Sequence, residues 1–156
     1  MESSHIFAAV GCMSFYLLMT PVNTYSPIPI MEVHGFLDQV VLYESSVLSV
    51  PTNPGAWTDP EAIQTGAIEN LYEWADLNSC TGLTPDYNDQ QPLYSVQGFS
   101  NCENNSQVRL VTIFGAQHNP YAKDYPGEGP GMLLPGTQGL VQSSYIVWDF
   151  LSQFSK

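Results

Sequence analysis

Apolar residues along this chain gather in short dense runs separated by long stretches rich in Pro, Gly, Asn, Asp and Ser. The first run, Ile6 to Met19 (IFAAVGCMSFYLLM), is almost unbroken and predicts a strand buried in a core. A loop punctuated by Pro21, Pro27 and Pro29 leads into Ile28 to Val33, a short run closed by His34-Gly35, which predicts a strand and then a tight turn. Asp38 follows that turn. Gln39 to Leu48 suits the start of a helix or a short extended piece, and Ser49 to Thr58 (SVPTNPGAWT) is rich enough in turn formers to be loop.

Ala62, Ile63, Ala67, Leu71 and Trp74 then recur at helical spacing behind Asp59-Pro60-Glu61, which offers an N-cap, a first-turn proline and an early acid. This pattern predicts a helix from Asp59 to about Leu77, packed against a sheet. The polar stretch Asn78 to Gln91 reads as loop. Leu93 to Gln97 and Gln107 to Phe114 predict two strands joined by a cysteine-bearing turn. The second is the more apolar, and its nearly continuous run suits a strand buried on both faces. Gly115 to Gly139 is a long Gly/Pro loop holding His118, Asp124 and Glu128, and structured loops of that length are usually functional. Tyr145, Ile146, Trp148, Phe150 and Leu151 predict a closing helix from Ser143 or Ser144 to Phe154.

Composition narrows the possible partners. The 156 residues are 44% hydrophobic and 12% charged, the balance of a folded domain rather than a disordered chain. Three basic against fifteen acidic residues give a net charge of −12, which repels a phosphate backbone or an anionic membrane, so neither nucleic acid nor membrane is expected as a partner. The apolar run Ile6 to Met19 is too short to cross a bilayer comfortably, which takes about 20 residues. It also lacks the preceding Lys or Arg and the following small-residue site of a signal peptide, so it is read as a core strand. Abundant Asn, Gln, Ser, Thr, Tyr and Pro beside few charges lean toward a secreted protein.

Of the three cysteines, Cys12 sits among apolar residues and suits a buried free thiol. Cys80 and Cys102 flank a polar, Pro-containing stretch, and their spacing fits equally a disulfide closing that stretch and two reduced surface thiols. Asn104-Asn105-Ser106, just beyond, is a sequon for N-glycosylation.

Candidate chemistry collects at two strand ends, His34-Gly35-Phe36-Leu37-Asp38 and Phe114-Gly115-Ala116-Gln117-His118. In a parallel α/β sheet the loops at the carboxyl ends of the strands converge on one rim, so an acid and a histidine from two such loops can meet. A carboxylate bonded to imidazole Nδ1 fixes the tautomer and stabilises the imidazolium formed when Nε2 takes a proton from a nucleophile. The bland alternative makes Asp38 a solvated turn residue and His118 an ordinary loop histidine. A zinc site built from His34, Asp38 and His118 is a third reading, though the spacing does not require it.

The string Ile30-Met31-Glu32-Val33-His34-Gly35-Phe36-Leu37-Asp38 resembles the strand and His-Gly-x-x-Asp signature of the poly(3-hydroxybutyrate) depolymerase-like esterases, a group that includes feruloyl and acetylxylan esterases. Further segments agree in order. Phe7-Ala8-Ala9-Val10 is similar to their FAAV strand, Trp74 to Cys80 to their W…N-x-C segment, and Tyr94 to Cys102 with Val108 to His118 to their Y…C…strand, Gly-x-x-His run. The end of the chain, Ser143 to Leu151, is similar to their final helix. The resemblance implies an α/β fold, as the C-terminal half of an α/β hydrolase with parallel strands and flanking helices, truncated. It also implies Asp38 and His118 as catalytic acid and histidine, a Cys80–Cys102 disulfide, a secreted location, no cofactor, and an ester of a polyester or acylated plant polysaccharide as substrate. Asn119-Pro120-Tyr121 follows His118 where many members have Trp-Pro, which leaves the ester itself open.

The nucleophile is missing from this pattern. An α/β-hydrolase serine sits in Gly-x-Ser-x-Gly because its strained elbow needs small neighbours. Gly98-Phe99-Ser100 comes nearest, but Cys102 takes the place of the second glycine, and Ser3 and Ser4 have no glycines around them. The expectation is one partial domain, residues 1–156, whose elbow, oxyanion hole and leader lie upstream of Met1. A non-catalytic, secreted, hydrolase-like protein that binds through loop aromatics (Trp57, Tyr87, Tyr94, Tyr121, Tyr125) is the alternative. Oligomeric state is not legible.

Overall fold

The computed structural model describes residues 3–14, 24–38, 41–44, 66–118 and 141–156. These form an α/β structure: a mixed sheet of β1 (Val10–Met13), β2 (Ile30–Gly35), β3 (Tyr87–Gln90), β4 (Tyr94–Phe99) and β5 (Val108–Ile113), with helices α1 (Ala67–Leu77) and α2 (Ser143–Leu151). The strands lie in the order β1-β2-β5-β4-β3. β1, β2 and β5 run parallel, with Ile30 opposite Val108 and Gly35 opposite Ile113. β4 pairs antiparallel with β5 and β3 antiparallel with β4.

The sheet therefore departs from an all-parallel one, for a local reason. Only a short polar turn, with a 3-10 segment at Glu103–Asn105, joins β4 to β5. Parallel strands need a crossover of a dozen or more residues, whereas a short turn returns the chain antiparallel. β3 falls within the stretch read as loop from the sequence, because Tyr87-Asn88-Asp89-Gln90 is a polar and largely exposed edge strand with no apolar alternation. The strand within Ile6 to Met19 is also shorter than expected. A turn in which Ile6 N–H donates to the Ser3 carbonyl leaves Ile6 and Phe7 62% and 53% exposed, and pairing begins only at Val10.

Alternation along the strands divides the core into two clusters. Ile30, Val108, Leu110 and Phe99 face Ala67, Leu71, Trp74 and Ala75 of α1. Met31, Val33, Val96, Val111 and Ile113 face Val147 and Phe150 of α2 on the other side of the sheet. Each such buried Leu, Ile, Val or Phe contributes about 1.5–3 kcal/mol by leaving water, and all six residues of β5 are buried. Helix α1 does not run unbroken from Asp59: Gly66 is extended (φ −123°, ψ 179°), and Glu69 Oε2 accepts the Gly66 N–H at 3.1 Å, so the helix starts at Ala67. Residues 59–65 lie outside the described residues.

The far end of α1 is fastened on three sides. Asn78 Nδ2 donates to the Ile28 carbonyl at 2.8 Å, and Asn78 Oδ1 accepts the Tyr25 hydroxyl. Cys80 is joined to Cys102 by a disulfide across 22 positions, which ties α1 to the β4–β5 turn. Cys12 is a free, half-buried thiol.

Candidate active site

Parallel pairing of β2 with β5 brings their carboxyl ends to the same rim of the sheet. There the turn after β2 is stitched to the loop after β5. Phe36 N–H donates to the Ile113 carbonyl at 3.0 Å, and Leu37 N–H donates to the Ala116 carbonyl at 2.8 Å. Gly35 permits this approach: a Cβ there would lie 2.6 Å from the Ala116 oxygen and 2.7 Å from the Gln117 oxygen, both rigid backbone atoms. Gly115, at φ 68°, makes the left-handed bend that sends the second loop back toward the first.

The consequence is a contact between two residues 80 positions apart, with His118 Nδ1 2.9 Å from Asp38 Oδ2. The Asp38 side chain is fully buried, while that of His118 is 27% exposed. Asp38 Oδ1 accepts the Val41 N–H at 2.9 Å, so both carboxylate oxygens are engaged and the plane of the group is fixed. A buried acid on Nδ1 of a partly exposed imidazole leaves Nε2 as the nitrogen available for proton exchange.

Beneath this pair lies a second one that the sequence reading did not single out as a unit. Glu32 and His34 project from β2 on the α1 side of the sheet, and both are buried. His34 Nδ1 lies 3.0 Å from Glu32 Oε1, and His34 Nε2 lies 2.7 Å from the Val41 carbonyl and 3.5 Å from Asp38 Oδ2. Asn70 of α1 donates to the other Glu32 oxygen. The signal was an acid and a histidine at alternate positions of an otherwise apolar strand, but Asn70, 38 positions away, gives no local cue. Both nitrogens of His34 are thus engaged by protein oxygens, so neither is turned to the zinc site considered from the sequence. Among the described residues, no group of three His, Cys, Asp or Glu is arranged to hold a metal ion.

The serines fall elsewhere. Phe99 pairs with Val108 at the start of β5, so Ser100 sits on the rim opposite His118, with its hydroxyl taking a hydrogen bond from Arg109 Nη2 at 3.0 Å. Ser4 is buried and its Oγ accepts the Ser26 N–H at 3.0 Å. Ser14, buried and left-handed at φ 51°, follows β1 on the His118 rim but has no glycine immediately beside it.

Asn104, the sequon asparagine, is exposed, and its Nδ2 donates to Ser26 Oγ at 3.1 Å. Tyr87 and Tyr94 line an open cavity of about 320 Å³ on the α2 face, where Tyr87 stacks 3.9 Å over the Arg109 guanidinium. Trp57, Tyr121, Tyr125, Asp124 and Glu128 lie outside the described residues. No described helix is long and apolar enough to cross a membrane.

No family model matches the chain. Among curated proteins it is similar to feruloyl esterase B of Piromyces equi, with 31% identity over 129 residues. That alignment covers 83% of this chain and 18% of the relative, so the chain spans less than a fifth of that protein's length. The likeness is to an esterase.

Proposed function

We propose that this chain supplies the acid and the histidine of a serine carboxylic-ester hydrolase of the polyhydroxybutyrate depolymerase and feruloyl esterase type, built on an α/β-hydrolase sheet. The observation that carries the reading is the 2.9 Å bond between buried Asp38 and His118 at the shared carboxyl ends of two parallel strands. Similarity to a feruloyl esterase over most of the chain supports the same chemistry.

In this reading a serine hydroxyl attacks the ester carbonyl, and His118 Nε2 takes its proton. The protonated imidazole then gives that proton to the leaving alcohol. Asp38 holds the tautomer and balances the imidazolium charge throughout. No metal or organic cofactor takes part in these steps. A serine within Gly-x-Ser-x-Gly, with its oxyanion hole, is supplied by a preceding segment of a longer protein, and residues 1–156 form the later part of its domain. The substrate class is an ester of a polyester or an acylated plant polysaccharide. The Cys80–Cys102 disulfide supports an oxidising, extracellular location, with Asn104 as a glycosylation site.

Mapping the 5′ end of the transcript tests the arrangement. An in-frame Gly-x-Ser-x-Gly segment ahead of Met1 is expected. A transcript starting at Met1, encoding a product that neither hydrolyses p-nitrophenyl acetate nor reacts with a fluorophosphonate, would instead favour a binding protein.

A further inference from the structure

The buried Glu32 and His34 side chains take no part in the ester chemistry described above, and their geometry restricts where protons can sit. The Val41 carbonyl can only accept, so His34 Nε2, 2.7 Å away, carries a hydrogen and donates it. At Nδ1 the neighbour is a Glu32 oxygen at 3.0 Å, so one further proton lies between the two groups. Glu32 receives hydrogen bonds at both oxygens, from His34 and from Asn70, an environment made for a carboxylate.

We propose that Glu32 and His34 form a buried ion pair whose imidazolium fixes Asp38, making His34 a positioning residue for the Asp38–His118 pair. The mechanical link runs through Val41. Its N–H is held by Asp38 Oδ1 and its carbonyl by His34 Nε2–H, so one residue is gripped at both polar groups and the turn carrying Asp38 is clamped to β2. The electrostatic link is direct, because His34 Nε2 stands 3.5 Å from Asp38 Oδ2. A fully buried carboxylate needs compensating positive charge close by, and this imidazolium supplies it whatever the state of His118.

The surroundings of the two partners pull in opposite senses, and the hydrogen-bond geometry decides for the pair. Burial pushes the Glu32 carboxyl above the usual carboxylate range, while the hydrogen bonds of His34 and Asn70 and the charge of His34 work to hold it down. Burial works against protonation of His34, yet the hydrogen bond and charge of Glu32, with Val41 and Asp38, hold the group above the ordinary imidazole range. From β1, Cys12 faces Glu32 as a thiol that burial keeps neutral. From α1, Glu69 and Glu73 add negative potential around Glu32, and the Tyr43 hydroxyl beside them is held neutral by burial. Thr112 of β5 meets that hydroxyl at 2.7 Å and carries no charge.

That Glu32 and His34 are an ion pair stands on its own, whereas the positioning role rests on the reading of Asp38 and His118 given above. The test uses the whole protein translated from the mapped transcript, with ¹⁵N-labelled histidine and with His34 and His118 assigned by the signals lost in H34Q and H118Q. At about pH 8, where a free imidazole is neutral, long-range ¹⁵N–¹H spectra are expected to show His34 protonated at both nitrogens. E32Q should convert it to the neutral Nε2–H form at the same pH. H34Q should move or abolish the low-field Nδ1 proton of His118. A neutral His34 in the unsubstituted chain overturns the ion pair even if neither variant folds. An unchanged His118 proton in folded H34Q overturns the positioning role. Neither arm reads hydrolysis, so a protein without esterase activity that shows imidazolium at His34 refutes the esterase reading and leaves the ion pair standing.

Discussion

Asp38 Oδ2 and His118 Nδ1 stand 2.9 Å apart because two strand-end turns, 80 positions apart in the chain, are stitched together by backbone hydrogen bonds. The contact is a product of strand pairing first and of side-chain chemistry second. Replacing Asp38 with Asn should remove the charge while keeping the shape. The low-field Nδ1 proton of His118 is then expected to disappear from the ¹H spectrum, and ester hydrolysis by the serine-bearing protein should fall by about 10⁴-fold. Survival of that proton would show that the carboxylate does not hold the ring.

Gly35 tests the stitching itself. A methyl group at this position would lie 2.6 Å from the Ala116 oxygen, and neither backbone can yield without breaking the Leu37–Ala116 bond. G35A is expected to destabilise the fold by about 1–3 kcal/mol, read as a lowered denaturant midpoint, and to separate Asp38 from His118. Unchanged stability with the His118 proton intact would show that the approach is looser than the geometry implies.

The disulfide fastens α1 to the β4–β5 turn, away from the rim. Closing a loop of this length restricts the unfolded chain, so the C80S/C102S double variant should lose about 2–4 kcal/mol of stability. The Asp38–His118 contact should survive in whatever fraction remains folded. Thermal melts with and without a reducing agent check the first statement, and the His118 proton signal checks the second.

Glu73 on α1 is expected to cost the fold stability at neutral pH. Burial, with Glu69 and Glu32 nearby, pushes its carboxyl above the usual carboxylate range, and its Oε2 is buried without a hydrogen-bond partner among the described residues. A raised value means that the folded state binds the proton more tightly, so stability is lost as pH rises through that value. E73M should therefore raise the melting temperature by about 2–4 °C at neutral pH, the lower end of an orphan-oxygen cost for a group still partly screened by solvent. The gain should shrink as pH falls and Glu73 takes its proton. Melting curves over a pH series would expose a gain that fails to shrink.

The sequence revealed those parts of the fold whose apolar residues are either dense or periodic: β2 and β5 as short apolar runs buried on both faces, α1 and α2 by helical spacing of their apolar residues. β3 was hidden because an exposed edge strand of Tyr, Asn, Asp and Gln carries no such pattern, and its place is set by pairing with β4. The first strand is shorter than its apolar run because Ile6 and Phe7 are apolar yet exposed. At the rim, His34-Gly35 and Gly115 are visible as turn signals, and strand-end placement lets Asp38 and His118 meet, but only the resemblance favours that partnership over the bland alternative, since nothing local to either residue names the other. The Glu32, His34 and Asn70 cluster was the least legible part. Its members lie on a strand and a helix that meet only in three dimensions.

Hydrolysis of methyl ferulate and p-nitrophenyl acetate by the protein translated from the mapped transcript, with and without H118A, bears most directly on the proposed triad. Hydrolysis by the unsubstituted protein, labelling of a single serine by a fluorophosphonate, and a loss of at least about 10³-fold in H118A are the expected results. Hydrolysis that persists undiminished in H118A, or a folded protein that neither hydrolyses these esters nor takes the label, would contradict it.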